Sequence, residues 1–226
     1  MTFSLLARCA ATGMFGVAVT SSSPCVAARC GTWARAGVGA VGTQNVTDPR
    51  LGHLGLALLA QGFSARATLA QLIESGPYPA YRQLTVVDQD GRTAHHSGAN
   101  TLGRHAVAEG AGCIAAGNLL ANLGVPAAMV TACAAAEAGV HLAERLMRAL
   151  EAGLSAGGEE APVRSGGIYV VDRQVWPICD LRVDWHDTPI AELRRIWEIY
   201  RPQMADYLMR AIDPTQAPSY GVAGDP

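Results

Sequence analysis

The chain has 226 residues, half of them hydrophobic and only 16% charged, so it can bury a sizeable core and does not have the composition of a disordered polymer. Its 19 acids and 17 bases give a formal net charge of -2, with no basic stripe to neutralise a run of phosphates, which argues against a nucleic-acid partner. All 17 bases are Arg, which removes Schiff-base chemistry, lysine-bound pyridoxal phosphate and the lysine of a phosphate loop.

Taken in chain order, the apolar runs Thr2 to Cys9 and Met14 to Ser21, joined by Ala11-Thr12-Gly13, predict an opening hairpin. Cys25 to Thr32 and Ala36 to Gln44 read as further strands, the second with Gly37, Gly39 and Gly42 placed for close packing against another layer. Asp48-Pro49 starts a helix through Leu51, Leu54, Leu58 and Leu59 to Gly62, and Ser64 caps another through Leu69, Leu72 and Ile73. Arg82 to Asp88 and Arg92 to Ser97 flank Gln89-Asp90-Gly91, a hairpin signal, and Cys113 to Leu119 follows as a strand.

Val125 to Glu151 reads as the longest helix, and Ala152 to Arg164, around Gly157-Gly158-Glu159-Glu160, as a mobile loop. Ser165 to Val171 and Ile178 to Val183 are late strands, and Thr188-Pro189 opens a helix with Leu193, Ile196, Trp197 and Tyr200 on one side. Strands are grouped rather than alternating with helices, which predicts an α+β fold of two packed sheets between helical layers, one domain over 1–213 with a loose tail over 214–226.

The N-terminus lacks a basic start and a cleavage site, and no apolar run reaches the ~18 residues of a membrane span, so the expectation is a cytoplasmic protein with no membrane partner. The cysteines, Cys9, Cys25, Cys30, Cys113, Cys133 and Cys179, form no CxxC pair and are expected as free thiols. His95 and His96 are adjacent and would face opposite sides of a strand, and the other histidines lack ligand spacing, so no metal site is expected.

Several blocks carry a family resemblance. They are Thr2-Phe3-Ser4-Leu5-Leu6-Ala7-Arg8, Gly16-Val17-Ala18-Val19, Trp33 to Val41 with Thr43-Gln44, His96-Ser97-Gly98, Gly117-Asn118-Leu119-Leu120, Asp180 to Asp184 and Pro189 to Arg195. Together they span nearly the whole chain, which resembles the DUF1028 family. The resemblance implies a four-layer αββα sandwich of the N-terminal-nucleophile hydrolase type, whose first strand carries the nucleophile. Proteasome-like members of that superfamily place a Lys beside the nucleophile, and the resemblance implies one soon after the second strand, where this chain has Ser21-Ser22-Ser23-Pro24-Cys25 instead.

The chemistry that follows starts at Thr2. With Met1 removed, its hydroxyl attacks an amide carbonyl while its own α-amine takes the proton, without a cofactor. With Met1 retained, both groups are blocked, and Thr2 is a β-branched strand residue. Thr43, Gln44 and Asn118 end strands and are candidate donors to an oxyanion, or polar caps of those ends. Ser21, Ser22 and His96 are candidate substrate contacts, with a plain polar turn as the alternative for the serines. The expected function is hydrolysis of a small amide, ureide or cyclic-imide C–N bond, the alternative a non-catalytic metabolite- or partner-binding protein. A small-molecule substrate and a homo-oligomer are expected as partners, the latter because several Trp residues and Ala-rich helices need covering.

Overall fold

The computed structural model describes residues 1–30, 33–136 and 139–222. The opening hairpin is present as β1 (Thr2–Arg8) and β2 (Phe15–Ser21), and Gly13, at a φ of +79°, supplies the left-handed turn residue between them. The strands that follow are β3 (Trp33–Arg35), β4 (Gly39–Asn45), β5 (Arg82–Asp88), β6 (Thr93–Ser97), β7 (Ala106–Gly110), β8 (Cys113–Asn118), β9 (Ser165–Val171) and β10 (Cys179–Val183). They form two antiparallel sheets, one in the order β10-β9-β2-β1-β8-β7 and one in the order β3-β4-β5-β6.

Period-two alternation assigns each strand its faces. In β1, Phe3, Leu5 and Ala7 enter a core beneath α4 (Val125–Ala134), α5 (Leu142–Ser155) and α6 (Pro189–Tyr200). Leu6 points the other way, meeting Phe15, Val17 and Ile114 of its own sheet and Ala40 and Val87 of the opposite one. Val41, Leu84 and Val86 fill the outer side of the smaller sheet, under α2 (Pro49–Ala60) and α3 (Ala65–Ser75). The two sheets therefore face each other, and each carries helices on its outer side. Gly42 lets them approach: an added Cβ would lie 2.4 Å from Thr85 Oγ1 and 3.7 Å from Leu6.

Helix ends match the sequence cues. Asp48 accepts from Arg50 N at 3.1 Å, and Ser64 accepts from Ala67 N at 3.3 Å. Leu142, Leu146, Met147 and Leu150 bury one stripe of α5, each stabilising the fold by ~1.5–3 kcal/mol. Trp197 is fully buried on α6 and donates its indole N–H to Glu144 at 2.7 Å. Among the described residues no helix is long and apolar enough to cross a membrane.

The structure departs from the sequence reading in several places, beginning with β3 and β7, which that reading does not contain. Cys25 to Thr32, expected as a strand, contains the short helix α1 (Val26–Cys30), because Cys25 turns through a φ of 54° and Val26 N is held by Ser165 Oγ at 3.0 Å; residues 31 and 32 lie outside the described residues. The single long helix over Val125 to Glu151 is two, α4 and α5, with Gly139 at a φ of +88° between them and His141 capping the second. The loop expected over Ala152 to Arg164 begins inside α5 and then pairs Glu159 with Leu120. A further helix, α7 (Met204–Ile212), precedes the terminal segment, where the Arg210 guanidinium lies 3.7 Å above the Tyr220 ring.

Candidate functional site

The facing sides of the sheets are apolar at one end and polar at the other. Thr2 and Ser4 share the inward face of β1 with Leu6, and Asn118 stands opposite Thr2 in the register with β8. Ser21 lies on the inward face of β2, beyond Val17 and Val19. From the other sheet, Gln44, Gln83 and Ser97 sit side by side on β4, β5 and β6. Most are almost fully buried; Thr2 is 6% exposed and Asn118 and Gln83 are fully enclosed.

Five of these side chains form a single network whose direction is set by one backbone group. The Gly117 carbonyl can only accept, so the Gln83 amide nitrogen points to it at 3.1 Å and also reaches Ser97 Oγ at 3.1 Å. Gln83 Oε1 must then accept, and it does so from Gln44 Nε2 at 2.8 Å and from Asn118 Nδ2 at 3.2 Å. Gln44 Oε1 in turn accepts from Ser4 Oγ at 2.7 Å. Asn118 is left with a buried oxygen that has no partner.

At the start of β1 two hydroxyls converge on one carbonyl. Thr2 Oγ1 and Ser21 Oγ both donate to the Met1 oxygen, and Ser23 N donates to Ser21 Oγ at 3.0 Å, polarising that hydroxyl toward its acceptor. Beside them lies Glu159, 6% exposed, whose Oε2 accepts from Ser22 N at 3.1 Å and whose buried Oε1 has no partner. Burial raises its carboxyl to about 7, against the opposing pull of the Ser22 bonds and of the N-terminal charge.

The strand ends at this site turn through left-handed backbone. Asn45, directly after Gln44, has a φ of 72°, and Leu119, directly after Asn118, a φ of 50°. Asn tolerates that region, but for Leu it costs ~1–2 kcal/mol. Leu119 is clamped there by its N–H on the Leu102 carbonyl and by Glu160 N on its own carbonyl, both at 3.0 Å.

The structure brings Thr2, Ser21, Gln44 and Asn118 to one end of the inter-sheet space, with Ser22 at its margin. Thr43 is directed away, since it follows Val41 on the helix-covered face of β4, where its hydroxyl is buried without a partner. His96 likewise faces away from Ser97's side, with Nε2 3.0 Å from the Pro79 carbonyl. The amide nitrogens of Gln44 and Asn118, expected as oxyanion donors, are engaged with Gln83. Ser4, Gln83 and Glu159 escaped the sequence reading. For Ser4 and Gln83 a signal existed, a polar residue at an inward position of an otherwise apolar strand. Among the described residues no three His, Cys, Asp or Glu side chains converge as metal ligands would.

Residues 2–193 match the family of unknown function DUF1028. The chain belongs to the DUF1028 family. A solved DUF1028 structure, that of protein SPO2555 from Silicibacter pomeroyi, is similar to it with a TM-score of 0.83 and 27% sequence identity, covering 91% of this chain and 89% of that one. No curated protein matches the chain. The DUF1028 match takes in all of β1 through β10, and with them every residue of the polar site from Thr2 to Glu159.

Proposed function

We propose that this protein is a cofactor-free hydrolase of a small amide, ureide or cyclic-imide C–N bond, with Thr2 as nucleophile once Met1 is removed. The observation that carries this reading is the Met1 carbonyl held by the hydroxyls of Thr2 and Ser21, since a substrate carbonyl entering the same place would lie against the nucleophile and a donor together. Two facing sheets with helices outside, and a first strand that brings its own first residues into the cleft, support an N-terminal-nucleophile type of sandwich.

In the proposed reaction the α-amine of Thr2, with an ordinary pKa of ~8, takes the proton from Oγ1 as the carbonyl carbon is attacked. Ser21 Oγ donates to the oxyanion that develops, a contribution of ~3 kcal/mol for one such donor. Asn118 offers its unpaired acceptor oxygen, suited to an N–H of the substrate or to the Thr2 amine. Gln44, Gln83 and Ser4 brace the floor of the cleft. The Ser21-to-Cys25 segment has no Lys, so the amine works without a neighbouring ammonium.

Intact-mass measurement establishes whether the native chain starts at Thr2, and turnover of amides and ureides is then compared with that of Thr2→Ala. Turnover that survives the substitution unchanged defeats the mechanism. The missing Lys favours a second reading, a metabolite- or partner-binding protein on the same fold, for which ligands would stabilise the protein and be recovered unchanged. We also propose a cytoplasmic homodimer, covering exposed apolar side chains such as Trp185 and Ile199; sedimentation as a monomer at micromolar concentration rejects the dimer.

A further inference from the structure

Met1 lies in the site as an aminoacyl group. Its carbonyl oxygen accepts from Thr2 and Ser21, and its positive α-ammonium acts electrostatically on the Glu159 carboxylate. Glu159 is held in place on both sides: its backbone bridges to Leu120, next to the clamped Leu119, and its Oε2 accepts from Ser22 N. That leaves Oε1, buried and unpaired, beside the end of β1. A carboxylate oxygen without a donor is costly in a dry site, and the natural relief is a cationic or N–H group brought in by a ligand.

We infer that the space filled by Met1 is the acyl-side subsite of the hydrolase, and that Glu159 selects substrates whose acyl group carries a free amino group. The inference rests on the proposed function and narrows its substrates to aminoacyl amides. In the reaction, the Thr2 Oγ1–acyl bond forms as the C–N bond breaks, and the hydroxyl proton passes through the Thr2 amine to the departing ammonia. Water then cleaves the ester, giving the free amino acid and restoring the hydroxyl. Glu159 takes no proton in these steps and acts as a specificity residue on the substrate amine.

The test uses full-length protein shown by mass to begin at position 2, with L-methioninamide and N-acetyl-L-methioninamide as probes. Calorimetry on Thr2→Ala, which cannot turn over, is expected to show methioninamide binding at least about tenfold more tightly than its acetylated form. In Thr2→Ala with Glu159→Gln that preference disappears, and with Glu159→Asp, which keeps the charge at a shorter reach, it is partly retained. Equal binding of the two probes, no binding of either, or a preference that survives Glu159→Gln overturns the inference. Selective binding to Thr2→Ala with no ammonia released by the Thr2 protein overturns the hydrolase reading while leaving amine recognition standing.

Discussion

Gln44 and Gln83 are joined across β4 and β5 by a 2.8 Å hydrogen bond whose direction is imposed by the Gly117 carbonyl on the opposite sheet. The bond ties the two sheets together at their polar ends, because Gln44 also holds Ser4 of β1 and Gln83 also holds Asn118 of β8. Neither glutamine has a local reason to choose its orientation; one acceptor that cannot donate decides for both.

Removing the hub should therefore be expensive. Gln83→Leu strands the amide groups of Gln44 and Asn118 and the Gly117 carbonyl in a dry interior, and a loss of at least about 2 kcal/mol is expected in urea unfolding. Thr43→Val is the control, since the Thr43 hydroxyl is already buried without a partner and its loss should change stability by less than about 1 kcal/mol. Equal costs for the two substitutions would contradict the network described.

Ser21→Ala should act on turnover rather than on stability. It removes the donor that meets the carbonyl beside Thr2, so kcat is expected to fall by about a hundredfold with a smaller change in KM. Ser22→Ala, whose side chain and backbone N–H both engage Glu159 and not the Met1 carbonyl, should lower kcat by less than Ser21→Ala does. A Ser21 variant with undiminished kcat removes the hydroxyl from the chemistry.

Glu159 gives the free protein a signature on the alkaline side of acid pH. Its carboxyl sits at about 7 when folded against an ordinary 4.5, so the folded state holds the proton more tightly. That contribution to stability is complete below pH 4.5 and is lost as the pH rises toward 7. Chemical denaturation at pH 5 and pH 8 should show Glu159→Gln gaining on the parent as the pH increases. A constant difference between them would be evidence against the burial.

Glu144 predicts the opposite slope. Burial alone would raise its carboxyl, but bonds from Arg194, Arg148 and the Trp197 indole outweigh it and hold the group near 2, below its ordinary 4.5. Its contribution is present above pH 4.5 and disappears as the pH falls toward 2. Arg194 also bonds Glu151 of α5 and Glu198 of α6, so the cluster fastens these two helices together. In Glu144→Gln the melting temperature should drop at pH 7 and approach that of the parent at pH 3.

Much of this architecture was legible in local pattern. Alternation and the Asp90-Gly91 turn gave the β5–β6 hairpin, Asp48-Pro49 gave α2, and the glycines of β4 announced a close sheet contact. The site is half legible: Gln44 and Asn118 are readable from strand ends, Thr2 from its place at the start of β1 and Ser21 from the polar segment after β2, but strand ends do not show that the Gln44 and Asn118 amides bond to Gln83. Glu159 stood in Gly157-Gly158-Glu159-Glu160, which reads as solvated loop, and its burial depends on pairing with Leu120, far away in sequence. Orientation and burial of this kind are set by tertiary partners, which no spacing rule displays.

The position of β1 has a consequence in time. Its neighbour β2 follows directly in the chain, but its other neighbour is β8, so Thr2 meets Asn118 only after all four strands of the smaller sheet have been synthesised. At ~5–20 residues per second, the open edge of β1 waits on the order of ten seconds on the ribosome. During that interval Thr2 has no β8 partner beside it. In the folded chain the Met1 carbonyl is enclosed by Thr2 and Ser21, so the Met1 removal that the proposed mechanism needs belongs to that interval.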